Sequence, residues 1–139
     1  MDYTGINVNK TNFLAALKGD SATASGSVIG SDDLSTVFLF ISAPSSAPGQ
    51  IDFPSGDPLT KAEFMDALTY MNENKRYKEL LIYLATDYAA SMVEDIPENT
   101  KVFAMTATDA SSTQKFANCP PDDVEAGNPI GACMATEFG

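Results

Sequence analysis

Three apolar runs dominate this chain, and the signals between them leave few ways to pair them. They are Thr36 to Ser42, Leu80 to Leu84 and Lys101 to Thr106, each bounded by turn-forming residues. Thr60-Lys61-Ala62-Glu63 lies between the first two and has the form of a capping box, which marks a helix start. Phe64, Ala67, Leu68 and Met71 follow at helical spacing, so the helix is expected to run to about Asn74. A shorter helix is expected over Ala89 to Val93. Strand, helix, strand, helix, strand with connections of this length implies parallel strands joined by right-handed crossovers. The fold class is therefore α/β, with strands at 36–42, 80–85 and 101–106 adjacent and helix 60–74 packed through Phe64, Leu68 and Met71. The first run is apolar without alternation, as in a strand buried on both faces.

The flanking segments are less regular. Asn12 to Lys18 is expected to form a short amphipathic helix with Phe13, Leu14 and Leu17 on one face, Thr11 or Asn12 as its cap and Gly19 as its stop. Ser21 to Asp33 is rich in Ser, Gly and Ala and is expected to be a mobile surface loop. Residues 43–58 break regular structure and leave room for a small hairpin around Ile51 and Phe53. The Pro-, Asp- and Gly-rich stretch after Asp109 supports no assignment, and no internal repeat is present.

Charge excludes one class of partner. The net charge is −11 and the pI about 4.1, whereas a nucleic-acid partner calls for a basic face. The basic cluster Lys75, Arg76 and Lys78 falls where a helix should end, and cations are favourable there in any case. No apolar run approaches the roughly 20 residues of a membrane helix. No signal peptide precedes Asp2, so a mature or partial product is expected. Two cysteines without a histidine are too few soft ligands for zinc, and neither metal nor cofactor is expected. Cys119 and Cys133 read either as a disulfide of an oxidising compartment or as two reduced, packed thiols. Closing the loop between them would contribute about 3 kcal/mol on the chain-entropy estimate. Asn9-Lys10-Thr11 is a glycosylation sequon, in keeping with secretion.

Two strand ends carry a resemblance to a known family. Val37 to Ser42, followed by Ala43-Pro44-Ser45-Ser46, resembles the strand that leads into the Ser/Thr-Asp-His-Gly turn of legumain, the asparaginyl endopeptidase. Leu80 to Leu84, followed by Ala85-Thr86-Asp87-Tyr88-Ala89-Ala90-Ser91, resembles the strand before legumain's Glu-Ala-Cys-Glu-Ser-Gly-Ser. Asp2 to Gly5, Tyr70-Met71, Tyr77, Ser91-Met92, Ile96-Pro97, Thr106-Ala107 and Cys119 to Asp123 occur in the family's order. Each motif is weak alone; their shared order across the chain is strong.

The resemblance implies a caspase-like fold, a mainly parallel sheet with helices on both faces and the catalytic dyad at strand carboxyl ends. It also implies a partial domain over 1–139. The family's first strands, with the pocket arginine, would precede Met1, and its last strand would follow Gly139. The sheet edges would then need a protein partner or self-assembly to cover them. The compartment implied is the secretory pathway, lysosomal or vacuolar, or the extracellular space.

Carried over position by position, the family's site is degenerate. Its histidine falls on Pro44 or Ser45, its cysteine on Asp87, and its pocket acids on Ala85 and Thr136. The chain has no histidine anywhere, so nothing within it can act as the imidazole base that a thiolate mechanism needs. Asp87 reads as a strand-end carboxylate capping the following helix, and Ser45 and Ser46 as turn residues. Tyr70, Tyr77 and Tyr83 read as packing residues. The expectation is a pseudoprotease acting by binding or assembly. The alternatives are an endopeptidase subunit whose catalytic residues come from elsewhere, or a component like the glycosylphosphatidylinositol transamidase subunit, whose Arg-Tyr-x-Glu-Leu-Leu-like run Arg76 to Leu81 matches.

Overall fold

The computed structural model describes residues 2–113, together with the backbone of 124–125 and 128–129. Helix α1 spans Lys10–Lys18 and helix α2 Lys61–Glu73. Strands β1 (Thr36–Ser42), β4 (Glu79–Ala85) and β5 (Val102–Thr106) form one sheet in the order β1-β4-β5, parallel throughout. Strands β2 (Gln50–Ile51) and β3 (Leu59–Thr60) make the expected small antiparallel hairpin after β1. Strands β6 (Val124–Glu125) and β7 (Asn128–Pro129) pair antiparallel. Single 3-10 turns lie at Gly5–Asn7, Ala89–Met92 and Glu98–Thr100.

Helix α2 begins where its capping box predicts. The Thr60 hydroxyl accepts from the Glu63 amide, and the Glu63 carboxylate accepts from the Thr60 amide at 2.9 Å. Phe64, Ala67, Leu68 and Met71 are buried against Leu80, Ile82 and Leu84 of β4 and Val37 of β1. Removing a fully buried phenyl such as Phe64 typically costs about 3–5 kcal/mol.

Helix α1 starts two residues earlier than its apolar face suggests. Its cap is Asn9, whose side chain accepts from the Asn12 amide at 2.9 Å and donates to the Ile6 carbonyl at 2.9 Å. Asn12, read above as a cap, lies inside the helix and holds the next loop instead, accepting from the Ser25 amide at 2.9 Å. Gly19 ends the helix in the left-handed conformation, φ 73°, as expected.

The 21–33 segment is tethered to α1 and to the residues on either side of it. The Ile29 amide donates to Ala16 O at 3.0 Å, Tyr3 Oη donates to Ser27 O at 2.7 Å, and Asp20 Oδ1 accepts from Ala22 and Thr23. Composition signalled irregular backbone, which is correct, but not these tethers.

The sheet departs from one expectation. Strand β1 alternates: Val37 is buried, while Phe38 and Phe40 are 60% and 46% exposed. The register lines up Phe38, Leu81 and Phe103 across the sheet, and likewise Phe40, Tyr83 and Met105. Phe103 and Met105 are 62% and 52% exposed. Both α1 and α2 pack through Leu17, Phe64 and their neighbours onto the Val37–Leu80–Ile82 side. Among the described residues, the opposite face is therefore apolar and uncovered. A run of apolar residues on every position satisfies two faces, but only one is covered by these helices.

Candidate functional site at the strand carboxyl ends

The β1–β4 register decides whether the two degenerate strand ends meet. Ser42 pairs with Ala85, and the Ala43 amide donates to Ala85 O at 3.3 Å. Residues 44 and 87 each lie two positions beyond that pair, in the loops that leave these two adjacent parallel strands. The fold thus brings Pro44, Ser45, Ala85 and Asp87 to one end of the sheet. Open parallel sheets bind ligands at such carboxyl ends. Thr136, Cys119 and Cys133 lie outside the described residues.

The loop after β1 is held by its own polar groups. Pro44 O accepts from the Asp52 amide at 2.9 Å, which ties the loop to the β2 hairpin. Ser45 is buried, and its hydroxyl donates to Ala47 O at 2.8 Å. With no imidazole in the chain to take that proton, Ser45 shapes the turn, as expected.

The turn after β4 draws oxygen acceptors from a distant loop. The amides of Tyr88, Ala89, Ala90 and Ser91 donate to Ser112 O at 2.9 Å, Thr108 Oγ1 at 2.8 Å, Thr108 O at 3.2 Å and Tyr88 O at 2.9 Å. Thr108 is the residue that closes the turn, since its hydroxyl also donates to Thr86 O at 3.0 Å. The reason is tertiary. Strand β5 ends at Thr106 opposite Leu84, the Ala107 amide donates to Leu84 O at 2.9 Å, and the chain beyond it brings Thr108 to the amides of the turn. The 107–112 loop keeps its shape through Asp109, whose Oδ1 accepts from the amides of Ser111 and Ser112, both at 2.7 Å. These hydrogen bonds hold the Asp109 carboxyl below the usual carboxylate range. Asp109-Ala110-Ser111-Ser112 is a turn-forming pattern, and its target is set by the tertiary pairing.

Ser91 joins the two halves. Its hydroxyl accepts from the Gly49 amide at 2.7 Å and donates to Tyr88 O at 2.6 Å. Beside it, the Thr86 hydroxyl is fully buried, and among the described residues it has no hydrogen-bond partner. Of the tyrosines, Tyr77 is buried and donates to Thr100 O at 2.8 Å, and Tyr83 stacks edge-on against Phe38 at 5.1 Å. Tyr70 is an exception to the packing expectation, being partly exposed beneath the Lys18 ammonium, 5.8 Å from the ring centre.

A cavity of about 330 Å³ adjoins this end, between Phe13, Phe40, Pro44, Ile51, Phe53 and Leu59. Its walls are apolar, with Asp52 the one carboxylate among its lining residues. Among the described residues no cluster of His, Cys, Asp and Glu is arranged to hold a metal ion. No described helix is long and apolar enough to cross a membrane.

Comparison with known proteins identifies the family. The chain is 37% identical over 137 residues to a hemoglobinase of Schistosoma mansoni, covering 97% of this chain and 30% of that protein. It is 30% identical over 141 residues to the vacuolar-processing enzyme delta-isozyme of Arabidopsis thaliana, covering 99% and 30%. It is 34% identical over 110 residues to human legumain, covering 76% and 25%. The chain thus spans less than a third of the length of these relatives. The model of the peptidase C13 family matches residues 1–139, and the chain belongs to that family.

Proposed function

We propose that this is a non-catalytic legumain-like domain, which acts by binding or assembly. The observation that carries the reading is the strand-end pair itself. Pro44 and Asp87 each follow by two residues the paired strand ends Ser42 and Ala85, at the positions where the family's resemblance puts base and nucleophile, and the chain has no histidine. Asp87 in place of a thiolate gives a poor nucleophile toward an amide, and Ala85 and Thr136 replace the acids of an asparagine pocket. The amides of Tyr88 to Ser91 are turned inward to Thr108, Ser112 and Tyr88 oxygens, which supports a turn serving structure.

The partners proposed are proteins, either another chain or copies of this one. Strands β1 and β5 are the outer strands of the described sheet, and each offers a row of backbone donors and acceptors. The domain is proposed as one unit over 1–139, with Cys119 and Cys133 bonded and Asn9 open to glycosylation in a secretory, lysosomal or vacuolar compartment. The name of the vacuolar-processing relative supports a vacuolar compartment.

The test is peptide hydrolysis by the full chain, beside a variant carrying Pro44→His or Ser45→His with Asp87→Cys. Removing one member of a nucleophile–base pair costs several orders of magnitude, and losing the second adds little. Background rates on asparaginyl peptides are expected for the native chain at acidic and neutral pH. Asparagine-specific cleavage by the native chain, blocked by a thiol alkylator, would overturn the proposal in favour of a catalytic subunit.

A further inference from the structure

The chain has 8 basic residues against 19 acidic ones, and its cations are unevenly used. Lys10 and Lys61 make all four ion pairs among the described residues. Lys75, Lys78 and Lys101 make none, yet all three line one depression of about 320 Å³, with Asn72, Asn99 and a single carboxylate, Asp33. They come from three places in the chain, after α2, before β4 and before β5. Pairing of Leu80 with Val102 and donation by the Lys78 amide to Ser35 O at 2.7 Å hold them together. The dipole of α2 accounts for Lys75, but not for Lys78 or Lys101.

We propose that this depression binds a phosphate monoester. A phosphate monoester carries nearly two negative charges and three acceptor oxygens, and lysine binds phosphate as a point charge. Three ammonium groups against Asp33 leave a local positive excess in a chain of net charge −11. The carboxamides of Asn72 and Asn99 enter no hydrogen bond within the described residues and supply neutral donors beside the ammonium groups. The volume falls at the lower end of small-molecule sites, roughly 300–1,000 Å³. Strand β4 separates this depression from the Pro44–Asp87 end by roughly 20 Å, so the two sites are independent.

The phosphate could belong to a soluble metabolite or to a lipid headgroup, and two arms separate these. In one, the full chain is titrated with glycerol 3-phosphate while amide resonances are followed. In the other, it is mixed with phosphatidylcholine vesicles with and without phosphatidylinositol 4-phosphate. The variants are Lys75→Asn, Lys78→Gln and Lys101→Asn, with Lys18→Gln as the control. Asparagine is chosen because Lys75 and Lys101 have φ of 52° and 54°, which it tolerates better than most residues. Saturable shifts at 75–78 and 99–102, weakened about tenfold when the three substitutions are combined and unchanged by Lys18→Gln, are expected. Binding confined to one arm supports the site and names the source. No saturable response in either arm, or equal weakening by Lys18→Gln, overturns it.

Discussion

Ser91 Oγ accepts the Gly49 amide hydrogen at 2.7 Å, a contact that joins residues 42 positions apart. Gly49 closes the loop after β1, and Ser91 lies in the 3-10 turn after β4. This bond ties together the two loops that follow the degenerate strand ends, beside the strand pairing itself. Ser91 is buried, so replacing it by alanine leaves the Gly49 donor without a partner. Ser91→Ala is expected to destabilise the fold by about 1–3 kcal/mol. Urea unfolding measures this, and an unchanged midpoint would remove Ser91 as the link.

Thr86 poses the opposite case. Its hydroxyl is fully buried at the end of β4 without a partner among the described residues, so it loses water and gains nothing there. Valine has nearly the same shape without the hydroxyl. Thr86→Val is therefore expected to be neutral or to stabilise by about 1 kcal/mol. A loss of more than about 1 kcal/mol would show that the hydroxyl has a partner.

Glu63 links α1 to α2. Its Oε1 lies 2.9 Å from Lys10 Nζ, and its Oε2 accepts from the Thr60 amide and hydroxyl. The Lys10 ammonium, followed by the Thr60 donors, lowers its pKa from 4.5 to about 2. A depressed carboxyl pKa contributes stability above the unfolded value, and that contribution fades as pH falls from about 4.5 to about 2. The pair is partly solvated, so the contribution after screening is about 1 kcal/mol. Melting curves of the native chain and Glu63→Gln should differ at pH 7 and converge near pH 2. Parallel curves across that range would mean the ion pair is inert.

The uncovered sheet face gives the fourth prediction. Phe38 and Phe103 flank Leu81 there, both more than half exposed. Replacing both by lysine removes apolar surface without opening a cavity. Stability should change by about 0.5 kcal/mol or less per site. Self-association and binding of an apolar dye should fall, as read by light scattering and fluorescence. Unchanged scattering would show that this face takes no part in assembly.

The three strands, the helix after the capping box and the α/β class were legible because each rests on contacts within a few residues. The capping box is a bargain between Thr60 and Glu63 alone, and apolar runs bounded by turns read as strands whatever surrounds them. The loss of histidine and the presence of Asp87 are likewise facts of composition and order. Asn9 was missed as a cap because the apolar face of α1 begins only at Phe13, whereas caps answer to the backbone. Which face of the sheet is covered could not be read from a run apolar at every position. That Thr108 serves the turn after β4, and that Lys101 meets Lys75 and Lys78, depends on the parallel β4–β5 pairing. A hydrogen bond or a shared cavity across many residues exists only once the strands are in register, and no local pattern encodes it.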